Sequence, residues 1–406
     1  MKLRRYSMAA MTDLSLSSIF SGLLSGDGAT ALLVSALAIS ILIGLMLAAS
    51  AGYFRIILNI AAFARPDARV RAIGNPMVDP VTVSVVREAH SLHDLFDRFR
   101  AAGHAFPSAG EMDVETAEQA IRGYYYEKVM GLSENVPDSV HHFFASYVEM
   151  LAAREAAWIV MGRGRDVSPA DLERQASSAG PLTPEMVRKA VHAAGPEDAL
   201  SMFARTPFGP VLTAAYREAA GDNAQFSALV QAALLENLSL AARSVDISLS
   251  PPVTEIAGRM IDIANVRALA RALSVGAGRE QVARHLITEG GFELTGDRFD
   301  HARRAGSLPD LIQALAGTQY EPHLSLHPEA VRDEDVPVLE AALDLCMLDT
   351  VRAVSNQYHL ESGPLLRYLV ALGYEVQNMQ AIAGGVAASL PPEEIERVLV
   401  LEEVNE

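Results

Sequence analysis

The chain has 406 residues and a mass of 43.5 kDa, enough for one large domain or two to three ordinary ones. Half of it is apolar and 20% is charged, the make-up of a folded protein and not a disordered one. A formal charge of −17 argues against nucleic acid as a partner, and a single cysteine, Cys346, excludes an intrachain disulfide and a thiolate zinc cluster.

Residues 1–27 read as an N-terminal tail. From Gly28 to Phe54 the sequence "GATALLVSALAISILIGLMLAASAGYF" holds no charged residue. About 20 apolar residues span a bilayer core as a helix, so this run is long enough with room for tilt. It is too long and too far from Met1 for a secretory leader, and too uniformly apolar for a buried core helix with one polar face. The expectation is a transmembrane anchor over 28–54. Asp27 precedes it and Arg55, Arg65, Arg69 and Arg71 follow it, which puts the bulk of the chain on the cytoplasmic side of the cell membrane.

Beyond the anchor the apolar residues recur at three- and four-residue steps, and helix starts are marked by "SPADLE" (168–173) and "LTPEMV" (182–187). Strand-like alternation is confined to "VDISLS" (245–250). The fold class is all-α. Three leading helices, "AEQAIRGYYYEKV" (117–129), "VQAALLENLSLAA" (230–242) and "LEAALDLCMLDTV" (339–351), are each followed by an acid-bearing helix. In register, Glu149, Asp262 and Glu375 coincide, as do Arg154 with Arg267 and Asn265 with Asn378. A capped helix start comes next in each copy: "DVSPADLER", "GAGREQVAR" and "SLPPEEIER". Two copies then continue, pairing Thr206 with Thr318 and Phe208 with Tyr320.

The third copy stops at the C-terminus, and its missing half stands at the front of the chain. "MVDPVTVSVVREAHSLHDLFDRFRA" (77–101) matches "ELTGDRFDHARRAGSLPDLIQALAG" (293–317) without a gap, pairing Ser91 with Ser307 and Asp94 with Asp310. The expected modules are therefore 66–110 joined with 338–404, then 111–210, then 211–325. A closed pseudo-threefold arrangement unites the split copy, whereas an open solenoid leaves half-modules at both ends.

None of the three lysines (Lys2, Lys128, Lys189) follows the glycine spacing of a phosphate loop, and "MGRGRDV" (161–167) breaks the dinucleotide pattern at its third glycine. His141, His142, His323 and His327 lack a third ligand at metal spacing. No catalytic residue, cofactor or metal is expected. Glu149, Arg154, Asp262, Asn265, Arg267, Glu375 and Asn378 read as packing groups repeated by a shared rule of assembly, the alternative being partner contacts at three equivalent places.

"ARVRAIGNPMV" (68–78) with "SLHDLFDRF" (91–99), "IDIANVRALARA" (261–272) and "GYEVQNMQAIAGGVAASLPPEEIERVL" (373–399) resemble the C-subunit family of archaeal A-type and bacterial V/A-type ATP synthases, whose eukaryotic relative is the d-subunit of the V-ATPase. The resemblance covers roughly Phe54 to Glu406. It implies an all-helical, funnel-shaped, pseudo-threefold, non-catalytic part of the central rotor, seated on the proteolipid ring and receiving the central stalk. A membrane-anchored scaffold or assembly factor of the same complex is the alternative. Two departures stand out: ordinary members lack the anchor at 28–54, and Gly384 and Gly385 stand where the closing signature often has a basic residue.

Overall fold

The computed structural model describes residues 28–106, 112–165, 167–277 and 286–403. The tail 1–27 and most of "GAGREQVAR" (276–284) lie outside them. Among the described residues there is no strand, only an isolated bridge between Ala179 and Leu182. The stretch 245–250 is a turn running into a helix start. Asp246 accepts bonds from Ser248 N and Oγ, and Leu249 N–H bonds back to Asp246 O, so local side-chain bonding wins over extended pairing.

Two compact units divide at Ala61. The first, 1–61, is described by the opening part of helix α1 (Gly28–Ile73). Its side chains from 32 to 47 are all exposed. These sixteen residues make about 24 Å of helix against a bilayer core of about 30 Å. No helix among the described residues is long and apolar enough to cross a membrane, so the anchor expected at 28–54 rests on the sequence.

The second unit, 62–406, holds the core. After α1 come the short helices α2 (Pro80–Val86) and α3 (Leu92–Ala101). The frame is three long hairpins: α4 (Val114–Ser133) with α5 (Asp138–Gly164), α6 (Asn223–Arg243) with α7 (Ser250–Ser274), and α8 (Val336–Gln357) with α9 (Gly363–Ala387). Shorter helices lie between the hairpins and after the last one.

Each leading helix starts on an aspartate. Asp113, Asp222 and Asp335 accept bonds from first-turn N–H groups that have no partner inside the helix. Two of the second helices carry Pro in their first two positions, where a missing N–H costs nothing. Gly363 begins α9 so close to the preceding turn that a Cβ would sit 2.8 Å from Tyr358 O.

The order of packing is cyclic. Within each hairpin the two helices pack together; then α5 packs on α6, α7 on α8, and α9 on α4. Each second helix meets the leading helix of the next hairpin, and the last meets the first. Buried apolar side chains run continuously through this cycle, among them Ile121, Phe143, Phe144, Leu238, Ile261, Leu343, Leu366 and Met379. Burial of side chains of this size contributes about 1.5–3 kcal/mol each.

Candidate functional site

Asp262 lies fully buried on α7. Its carboxylate accepts from the N–H groups of Phe292, Glu293 and Leu294 at 3.2, 2.7 and 3.1 Å, and from Tyr320 Oη at 2.9 Å. Burial raises its pKa, while those N–H groups and the Tyr320 hydroxyl pull it back. One turn on, Asn265 clamps the chain returning toward α7: its Nδ2 donates to Ile287 O, and Ile287 N donates to its Oδ1, both at 2.8 Å.

Glu375 and Asn378 repeat this arrangement on α9 with other partners. Asn378 Nδ2 donates to Val400 O and to Met77 O at 2.7 Å each, and Val400 N donates to Asn378 Oδ1 at 2.8 Å. Ile287 and Val400 stand 113 positions apart, as Asn265 and Asn378 do. Glu402 N donates to Val78 O at 2.9 Å, so the two ends of the repeat-bearing chain meet here. Glu375 is 1% exposed and accepts from Tyr124 Oη at 2.9 Å. His104 Nδ1 lies 3.6 Å from it. Extending the 77–101 and 293–317 match by three residues sets His104 against Tyr320, the partner of Asp262.

Glu149 differs. It is half-buried, and among the described residues it has no hydrogen-bond partner; burial raises its pKa. Phe208, in the place of Tyr320, has no hydroxyl to offer. The bonded acid of this hairpin is Glu155, six residues on, a position that the repeat register does not mark. It is 4% exposed and accepts from Tyr126 Oη and Ser177 N at 2.8 Å each, with Arg122 Nη1 at 3.4 Å. The available signal was "YYY" (124–126): Tyr124 bonds Glu375 and Tyr126 bonds Glu155.

A cavity of 470 Å³ opens among the six long helices. Its lining repeats every 113 residues: Tyr147, Met260 and Gly373; Met150, Ile263 and Val376; Arg154, Arg267 and Gln380. Arg122 and Asp344 join from the leading helices. Arg267 pairs with Asp344 at 2.5 Å, bridging α7 to α8, while Arg154 is exposed toward the cavity with no acid partner among the described residues. Among the described residues no three His, Cys, Asp or Glu side chains gather as a metal site. Cys346 is buried, its thiol pushed up to about 11 by that burial.

The model of the ATP synthase (C/AC39) subunit family matches residues 66–398. The chain belongs to this family. Among curated relatives, the A-type ATP synthase C-subunit of Haloferax volcanii is 26% identical over 298 residues, 71% of this chain and 82% of that protein. The protein of the same name from Methanosphaera stadtmanae is 21% identical over 355 residues, 86% of this chain and 90% of that protein. That from Methanocaldococcus jannaschii is 27% identical over 147 residues, 36% of this chain and 37% of that protein. In this C/AC39 chain the two glycines of the closing helix are not equivalent. Gly384 faces open space, whereas a Cβ on Gly385 would lie 2.5 Å from Ile395 Cγ1.

Proposed function

We propose that this chain is a non-catalytic central-rotor subunit of an A/V-type ATP synthase. It links the proteolipid ring of the membrane sector to the central stalk and transmits torque, for ion-driven ATP synthesis or ATP-driven ion pumping. In this reading the modules 66–110 with 338–404, 111–210 and 211–325 form a pseudo-threefold funnel around the cavity. Asp262, Asn265, Glu375 and Asn378 mark the shared packing rule, Glu149 keeps the register without its bonds, and Arg154 and Arg267 face the cavity.

The observation that carries the reading is the closed cycle of helix contacts around a cavity lined in one register. A torque-bearing part must not shear, and a cycle of hairpins bonded end to end resists twist better than an open stack, whose terminal repeats have one neighbour each. Relatives named as the C-subunits of A-type ATP synthases support the choice of complex.

The uncharged run 28–54 serves in this proposal as a single-pass or ring-lumen anchor. A helix fixed to a rotor must turn with the ring, and the lumen is the one place where it avoids the stator. Its small residues Gly28, Ala29, Ala31, Ala36, Ala38 and Gly44 suit close packing there. Crosslinkers at Leu37 or Leu45 should reach the inner helices of the proteolipid ring; capture of lipid or stator alone would remove the lumen placement. The anchor also favours a second reading, a membrane-anchored assembly factor that leaves the finished complex. Purifying the membrane ATPase and counting this chain separates the two: one copy per catalytic head supports the rotor, and absence from the active complex supports the assembly factor.

A further inference from the structure

The joint between the two ends of the repeat-bearing chain contains a buried acid and a buried imidazole with a hydroxyl between them. Glu375 comes from α9, Tyr124 from α4 and His104 from the segment after α3. The side chains of His104 and Glu375 are 3% and 1% exposed, and 3.6 Å apart. Tyr124 Oη donates to Glu375 Oε1 at 2.9 Å, and it lies 2.9 Å from His104 Nδ1. With its proton committed to the carboxylate, the tyrosine oxygen accepts from His104, which fixes the imidazole proton on Nδ1. Glu375 Oε2 and His104 Nε2 have no partner among the described residues.

Asp262 shows what a buried acid is given in this fold: three backbone N–H groups and a tyrosine hydroxyl. Glu375 has the Tyr124 hydroxyl at 2.9 Å, the Met77 N–H and Asn75 amide on its other side, and a histidine where Asp262 has Tyr320. A lone charge in so poorly solvated a place is costly, whether carboxylate or imidazolium. Only the states with one proton between the two groups, a carboxylic acid beside neutral imidazole or an ion pair, leave the site uncharged.

We infer that His104 and Glu375 hold a single proton between them, so that the joint closing the chain on itself stays neutral while its surroundings change pH. The other groups facing Glu375 do not replace this balance. From α4 comes Lys128, over the Tyr124 ring at 5.3 Å, while Glu127 of the same helix acts on the Tyr124 hydroxyl; from the turn before α2 come the Asn75 amide and Met77 N–H. Tyr368 faces it from its own helix, with Arg69 beyond, and α3 offers the apolar rings of Phe96 and Phe99.

The shifts of the two groups oppose each other. Burial pushes Glu375 up to about 7, so its contribution is full below its ordinary value and is lost as pH rises through 7. Burial, helped by Lys128, pushes His104 down to about 4, so its contribution is full above its ordinary value and is lost as pH falls through 4. Between about pH 5 and 6.5 the two changes cancel, and proton exchange between solvent and the joint does no work on it.

The test compares hydrogen exchange at residues 371–379 and 99–106 in the full chain, in detergent, at pH 5 and 7 after correction for intrinsic rates. Glu375→Gln leaves the histidine uncompensated, and its protection should rise with pH, relative to wild type, by a factor on the order of ten or more. His104→Phe removes the imidazole without adding a donor, and its protection should fall with pH by a similar factor. Slopes of opposite sign support the shared proton. Slopes equal to wild type, or of one sign in both variants, overturn it. Should Glu375→Gln not fold, the sign for His104→Phe decides alone, since a flat or rising slope there contradicts the shared proton.

Discussion

Asp262 on α7 and Glu149 on α5 stand at the same register of two helices in successive hairpins, yet one takes four hydrogen bonds and the other none among the described residues. The helices are alike; the segments facing them are not. After α7 the chain folds back so that three successive N–H groups aim at the acid and Tyr320 adds a hydroxyl. In the other hairpin Phe208 replaces that tyrosine, and the bonded acid is Glu155, served by Tyr126 and Ser177. Register preserves which faces of the helices meet, while the chemistry follows whichever donors the connecting segment supplies.

The largest test of this contrast is to remove each acid. Asp262→Ala leaves three N–H groups and a tyrosine hydroxyl buried and unpaired, and should cost about 3–5 kcal/mol in denaturant unfolding. Glu149→Ala should stay within about 0.5–1 kcal/mol, as substitutions away from buried networks do. Glu155→Ala should fall between, at about 2–3 kcal/mol. Equal losses for Glu149 and Asp262 would show that register alone sets the bonding.

Next in size are the two asparagines. Asn378→Ala breaks bonds to Met77 O and to both polar atoms of Val400; Asn265→Ala breaks only the pair with Ile287. Both should cost about 2–3 kcal/mol, with Asn378 the greater. Proteolysis at the chain ends should accelerate only for Asn378→Ala, because of the two asparagines it alone bonds the N-terminal segment. Faster cleavage of both ends in Asn265→Ala would break the distinction.

The helices, their serine caps and the register of the repeats were legible because they depend on local pattern. Ser91 and Ser307, paired from sequence, both cap their helices by accepting from Asp94 N and Asp310 N. Thr206 and Thr318, likewise paired, both donate to a carbonyl three residues back. Glu155 was not legible, because its value comes from a backbone N–H at Ser177 and a tyrosine ring on another helix. His104 escaped for a related reason: the gapless match ends at 101, and position 104 gains meaning only from what faces Glu375. The extent of α1 was also hidden. The helix continues past the uncharged run and through Pro66 to Ile73, although Pro has no N–H to give the preceding turn.

The smallest expected effect concerns the glycines of the closing helix. Gly384→Ala should stabilise by about 0.5–1 kcal/mol, since the site is open and Ala is the better helix former. Gly385→Ala should destabilise, because its Cβ meets the Ile395 side chain at 2.5 Å. Thermal unfolding of the two single variants reads the sign directly, and a shift in the same direction for both would contradict the packing described for the last turn.

The central claim, that the closed cycle of hairpins sits in a rotor, is tested most directly by imaging the intact membrane ATPase purified from cells that make this chain. The expected result is one copy between the proteolipid ring and the central stalk, with the rotation axis running through the cavity between Arg154, Arg267 and Gln380. A copy on the periphery, an axis passing outside that cavity, or a complete active complex without the chain would contradict the claim.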